Sequence, residues 1–216
     1  MKILSVNVGL PMEIVANGKS VTTGIYKNPV HGRVKVGRLN LEGDGQADLS
    51  VHGGINKAVY AYPSEHYKYW RCELPGLDMP WGMFGENLTL EGLLEDSAHI
   101  GDRFRMGTAL LMVTQPRLPC YKLGVRFGRD DMPDRFLTSR RTGFYFAVVE
   151  EGELGEGDAP EPVYRETNRV SITDLLRLEY DHKNPDFRLI ERALQVEALT
   201  QGWQKRLRKK LGESHI

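Results

Sequence analysis

A chain of 216 residues, 40% of them hydrophobic, is long enough to bury a substantial core as one large domain or as a domain with a small appendage. Its 29 Lys and Arg balance 29 Asp and Glu, which excludes the basic footprint of a protein that coats a nucleic-acid polymer. No apolar run approaches the roughly 20 residues of a membrane span, and MKILSVNVG lacks the pattern of a cleaved leader, so a soluble, cytoplasmic protein is expected.

From Ile3 to about Val149, short β-type runs alternate with Gly, Pro and Asn/Asp punctuation, as in a β-rich domain. The strand candidates are ILSVNVG, RVKVGRLNL, AVYAYP, NLTL, RFRMG, ALLMVTQP and FYFAVVEEG. GDRFRMGTALLMVTQPR reads as two strands joined by a tight turn at Met106-Gly107-Thr108. A helix is expected at PSEHYKYWRCEL, with Pro63 in its first turn and Glu65 near its positive end. A second is expected at DDMPDRFL, with Pro133 at its start. The run GELGEGDAPEPVYRET begins as a hairpin or edge segment and continues as a linker.

After about Asn168 three short helical patterns follow. Ser171 and Asp174 form a capping box before ITDLLRLEY, and Asn184-Pro185 opens DFRLIERALQV. A third pattern runs from Glu197 into KRLRKKLG, whose cations complement the negative end of a helix. The expected division is residues 1–165 for the β-rich domain and 166–216 for a three-helix segment.

Two cysteines, Cys72 and Cys120, exclude a disulfide framework and any four-cysteine zinc or iron–sulfur site within the chain. Cys72, beside an aromatic helix, reads as a packing residue. Cys120 lies in QPRLPCYKL, where Pro116 and Pro119 imply a stiff, extended loop and Gln115, Arg117 and Lys122 are placed to bind an anion. Neighbouring positive charge favours the thiolate, the form that acts as nucleophile or metal ligand. Three further loops carry polar groups: TGIYKNPVHG with Thr23 and Lys27, HGGINKAVYAYP with His52, Gly53, Gly54, Asn56 and Lys57, and WGMFGENLTLEG with Gly85 and Asn87. Adjacent glycines can form an anion-binding nest beside a lysine. The sequence has no P-loop and no dinucleotide-binding glycine fingerprint. A Cys120/His52 nucleophile pair would suit a thiol hydrolase, but no family signature accompanies it.

Taken together, HGGINKAVYAYPSEHYKYW, FGENLTLEGL, GDRFRMG and QPRLPCYKL resemble the MOSC domain family, named for the C-terminal domain of molybdenum cofactor sulfurases, and within it the stand-alone bacterial YiiM-like branch. The resemblance implies a mainly β fold with helices, a MOSC-type β-barrel domain followed by a small C-terminal three-helix appendage. It implies a site for molybdenum cofactor (Mo-molybdopterin), with Cys120 as the metal ligand. Thr23, Lys27, Gly53, Gly54, Asn56, Lys57, Gly85, Asn87, Arg117 and Lys122 are the expected cofactor contacts, Lys27 and Arg117 foremost for phosphate. Reduction of N-hydroxylated base analogues or amidoximes is the implied activity, with Cys120 and His52 as catalytic residues. An external flavoprotein, haem protein or ferredoxin would supply the electrons. The alternative is a non-catalytic cofactor or sulfur carrier using Cys120.

Overall fold

The computed structural model describes residues 1–16, 18–47, 53–181 and 186–212. Twelve strands and six helices follow one another along these residues. The strands are β1 (Lys2–Val8), β2 (Met12–Ala16), β3 (Lys19–Thr23), β4 (Asn28–Val30), β5 (Arg33–Val36), β6 (Val59–Pro63), β7 (Leu88–Glu91), β8 (Arg103–Met106), β9 (Ala109–Pro116), β10 (Phe144–Glu150), β11 (Gly152–Gly155) and β12 (Glu161–Tyr164). The helices are α1 (Glu65–Glu73), α2 (Tyr121–Phe127), α3 (Met132–Ser139), α4 (Ile172–Tyr180), α5 (Phe187–Leu194) and α6 (Gln201–Lys210). Eight strands form one curled half-barrel in the order β12-β8-β9-β10-β6-β7-β1-β4, with β6 and β7 parallel and every other pair antiparallel. The ribbons β2–β3 and β5–β11 complete the strand pairing. Mainly β with helices, as the sequence implies, is therefore the fold.

Strand alternation divides the interior into two cores. In VYAYP, Val59 and Ala61 face an aliphatic cluster while Tyr60 and Tyr62 face an aromatic one, because successive side chains leave a strand on opposite faces. β10 repeats the pattern: Phe144, Phe146 and Val148 join the aliphatic side and Tyr145 packs on the aromatic side. The aromatic core holds Tyr67 and Trp70 of α1, Phe127 of α2 and Phe136 of α3, with Phe84 stacked on Tyr62 at 4.3 Å between ring centroids. Trp70 Nε1 donates to the Tyr62 hydroxyl at 2.7 Å, which satisfies both polar atoms inside the cluster.

The three C-terminal helices share the aliphatic core with the sheet. Leu175, Ile190, Trp203 and Leu207 are buried in the same cluster as Ile3, Phe104, Val113 and Phe146. The connection into α4 is pinned by the buried Asp102 carboxylate, which accepts from Arg165 at 2.8 Å, from the Glu166 amide at 2.8 Å and from Arg169 at 3.3 Å. α4 opens with the expected capping box: Ser171 Oγ accepts from the Asp174 amide at 3.0 Å, and the Asp174 carboxylate accepts from the Ser171 amide at 3.1 Å. Ser171→Ala is expected to lower unfolding free energy by about 1 kcal/mol in urea titration. An unchanged midpoint would remove the cap from the stability of this segment.

Several sequence expectations are corrected. Pro63 ends β6 instead of entering the first turn of α1, whose N-cap is Ser64; Glu65 is in that turn and accepts from the Gly92 amide at 2.8 Å. Cys72 is exposed on α1, not packed, because it falls on the side of the helix away from Tyr67 and Trp70. The segment read as a linker contains β12, which pairs with β8. β2, β3 and β4 had no counterpart among the expected strands, and α6 starts at Gln201 instead of Glu197. The Asn184-Pro185 helix start lies outside the described residues. Among the described residues no helix is long and apolar enough to cross a membrane.

Candidate functional site

The chain reaches Cys120 directly from the centre of the sheet. β9 pairs with β10 until Phe144 faces Pro116, where proline removes the next ladder donor. Arg117 then donates its amide to the Gly143 carbonyl at 3.3 Å, and three residues later Cys120 takes the N-cap position of α2 in extended conformation. The extended segment is therefore shorter than QPRLPCYKL suggests, since its last three residues enter a helix. α2 is closed at its other end by Gly128, whose φ of 63° provides the left-handed cap that a β-carbon would disfavour.

Cys120 faces an open cleft with about 670 Å³ of empty space, part of it continuous with solvent. Of the expected contacts, Thr23, Lys27, Lys57, Gly85, Asn87, Arg117 and Lys122 line this cleft together with Cys120. Gly53, Gly54 and Asn56 are not among its lining residues. Gly54 instead precedes the short 3-10 turn Ile55–Lys57 with φ 90°, and Asn56 in that turn accepts at its carbonyl from Thr114 Oγ1 at 2.7 Å. His52 lies outside the described residues.

Three lining groups are committed to the scaffold. Asn87 Oδ1 accepts from the Tyr60 amide at 3.0 Å, and its Nδ2 donates to Asp44 at 2.9 Å and to the Asn7 carbonyl at 3.3 Å. Lys27 makes a buried ion pair with Asp44, and burial holds its ammonium below the usual lysine range even though Asp44 pulls in the opposite direction. Gly85, with φ 79°, is a packing position: a β-carbon there would sit 2.9 Å from Ile25 Cγ1.

Three further cations, Arg117, Lys122 and Lys57, line the cleft. Arg117 is buried, its guanidinium 4.9 Å from the Tyr60 ring centroid and 5.2 Å from that of Phe136, and its Nη1 has no hydrogen-bond partner. Such a donor is costly to bury without an acceptor. Arg117 and Tyr145 both interact electrostatically with Cys120. Lys122 Nζ donates to the Thr22 carbonyl at 2.8 Å, and Lys57 lines the cleft from the end of its 3-10 turn. Burial lowers the Lys57 pKa, with Arg206 adding to the effect.

Tyr60, Tyr145, Asp44 and Gln46 line the cleft without having been singled out from the sequence. Tyr60 and Tyr145 face each other across the β6–β10 ladder, their rings 5.3 Å apart. Burial pushes both phenols above the usual tyrosine range, which keeps them neutral at physiological pH. In sequence both read as ordinary strand residues, and only the β6–β10 pairing brings them together.

This arrangement has known counterparts. Residues 48–161 match the sequence profile of the MOSC domain. The chain belongs to the MOSC domain family. That family is one of molybdenum-cofactor-binding domains. The MOSC chain is 42% identical over 208 residues to the uncharacterized protein YflK of Bacillus subtilis, covering 96% of this chain and 93% of YflK. The crystal structure of YiiM from Geobacillus stearothermophilus superposes with a TM-score of 0.79 at 35% identity, covering 97% of this chain and 98% of that one. A protein of Gibberella moniliformis named "Reductase" is 32% identical over 166 residues, which are 76% of this MOSC chain and 29% of the fungal one.

The MOSC cleft fits a metal that arrives inside an anionic organic ligand. Its soft donor is the Cys120 thiol, Lys57, Lys122 and Arg117 supply positive charge, and the unsatisfied Arg117 Nη1 calls for an acceptor. Among the described residues no group of three or more His, Cys, Asp or Glu is placed to hold a bare ion.

Proposed function

We propose that the cleft holds molybdenum cofactor with the Cys120 thiolate as a metal ligand, and that the protein reduces N-hydroxylated compounds to amines or amidines. The observation that carries this reading is the meeting of one thiol with four cationic side chains, Lys27 paired with Asp44 and Arg117 bearing an unsatisfied buried donor, in a single cleft of a MOSC fold. Bound there, the cofactor would supply a two-electron couple and a coordination position for the oxygen that is lost. The overall change is R–NHOH + 2e⁻ + 2H⁺ → R–NH2 + H2O.

The chain's own residues hold and orient. Arg117, clamped between Tyr60 and Phe136, presents its guanidinium without conformational freedom. Lys57 and Lys122 act as point charges toward phosphate. Cys120 must lose its proton to bind metal, and Arg117 lies within electrostatic reach of it. Protons for the reaction come from water or from His52. The electrons come from a separate flavoprotein, haem protein or ferredoxin, since the sequence has no flavin fingerprint and too few cysteines for a cluster.

Protein made in a host that synthesises molybdenum cofactor is expected to carry molybdenum and pterin, and to form amine from an N-hydroxylated base or an amidoxime when given a reduced dye. Bound molybdenum without amine formation would instead mark a non-catalytic cofactor carrier. A preparation with neither metal nor pterin would sink the reading.

A further inference from the structure

A second cavity opens behind Cys120, and the cofactor reading leaves it without an occupant. It encloses about 830 Å³ of empty space, partly open to solvent, and shares Lys57, Leu118, Cys120 and Tyr145 with the first cleft. Its far wall is α6, which contributes Gly202, Trp203 and Arg206. The Asp44–Gln46 loop lines the first cleft only.

The walls have a definite chemistry. Pro116, Pro119 and Leu118, with the edge of the buried Trp203, give an apolar wall. The Gln115 amide is held by Thr200, whose hydroxyl donates to Gln115 Oε1 at 3.1 Å. The charged lining groups are both cations: Lys57, and Arg206, whose side chain is 47% exposed. Arg206 is preorganised, since it donates to Glu179 at 2.5 Å and lies over the Trp203 ring at 5.6 Å. The two cations line the same cavity. Among the described lining residues none is a carboxylate, and Glu179 holds Arg206 from outside the cavity.

We infer that this cavity is the substrate subsite, and that it selects a planar heteroaromatic hydroxylamine carrying an anionic group: the N-hydroxylated base as its 5′-monophosphate in preference to the free base. The ring lies along the proline wall at the edge of Trp203, the N–OH end points to the Cys120 junction, and the phosphate takes Arg206, with Lys57 shared between it and the cofactor's phosphate. The inference rests on the reductase reading for the reaction and on the cavity alone for binding.

Binding of adenosine 5′-monophosphate, adenosine and adenine, measured by titration calorimetry on cofactor-loaded protein, tests it without turnover. The monophosphate is expected to bind about tenfold or more tightly than adenosine, the size of effect a charge-assisted phosphate contact gives. Arg206→Gln is expected to erase that preference while leaving adenosine affinity and molybdenum content unchanged, and Arg206→Lys to restore most of it. Trp203→Leu is expected to weaken all three ligands together. Equal binding of monophosphate and nucleoside by the wild type, or a preference that survives Arg206→Gln, would overturn the subsite. So would loss of molybdenum and pterin from Arg206→Gln, which would make the cavity part of the cofactor site. If the preference holds but the N-hydroxylated monophosphate is not reduced, the subsite stands and the reductase reading falls.

Discussion

Cys120→Ser is expected to lower the reduction rate by more than about a hundredfold and to strip most of the molybdenum, while leaving the fold at least as stable as the wild type. Loss of a supporting partner beyond the ligands already costs about 10–100-fold in metal affinity or activity, so loss of the ligand itself should exceed that. A serine hydroxyl is a hard donor that stays protonated at neutral pH, whereas the thiolate is the soft ligand molybdenum prefers. The position makes serine a sharp probe. Cys120 is the N-cap of α2 and makes no side-chain capping bond there, and serine is among the preferred N-cap residues. A gain of about 1 kcal/mol in capping would raise the melting temperature by about 2–4 °C in a chain of this size. Activity and stability should therefore move in opposite directions, which a merely structural cysteine would not produce. Cys72→Ser, at an exposed helical position, serves as the control and should change stability by no more than about 0.5 kcal/mol. Full activity with full molybdenum content in Cys120→Ser would remove the thiolate from the mechanism.

Part of the fold was legible because its signals are local. Alternation in RVKV, the turn at Met106-Gly107-Thr108 and the Ser171/Asp174 box each fix a short segment without help from the rest of the chain. β12 was hidden for the opposite reason. Its four residues are exposed and contain Pro162, so only pairing with β8 makes them a strand. α2 was hidden by its two flanking prolines, which argue for extended chain up to Cys120 and say nothing about the residues after it. The candidate site was legible where a residue type is rare or charged: Cys120, Arg117, Lys57 and Lys122 line one cleft. What could not be read was the partner of each charge. Lys27 and Asp44 are 17 positions apart and Asn87 and Asp44 are 43 apart, and no spacing rule links such residues. Tyr60 and Tyr145 likewise meet only because β6 pairs with β10.

Asp44→Ala is expected to destabilise the protein by about 3–5 kcal/mol at neutral pH, the cost of leaving a buried charge without its partner. Asp44 is a hub: one carboxylate oxygen accepts from Lys27 and from the Gly9 amide at 3.0 Å, and the other accepts from Asn87 Nδ2 at 2.9 Å. The residues that follow it, Gly45, Gln46 and Ala47, line the cleft, so the hub also fixes that wall. Replacing both members of the pair, Lys27→Met with Asp44→Ala, should recover much of the loss, because an apolar substitute removes the ammonium that must otherwise be desolvated. The pH dependence has a definite sign. Burial already holds the Lys27 pKa below its unfolded value despite the pull of Asp44. In the interval between the folded value and 10.5 the unfolded chain binds more protons than the folded one, so stability attributable to this group rises with pH across that interval. Removing Asp44 takes away the largest influence that raises the folded pKa and extends the interval downward. The deficit of the single variant should therefore shrink as pH is raised from 7 toward 10, while the double variant, lacking the ammonium, should show no such trend. Urea titrations of the three proteins at both pH values measure this directly. A deficit that is the same at pH 7 and pH 10 would mean that Lys27 is not held as a buried cation by Asp44.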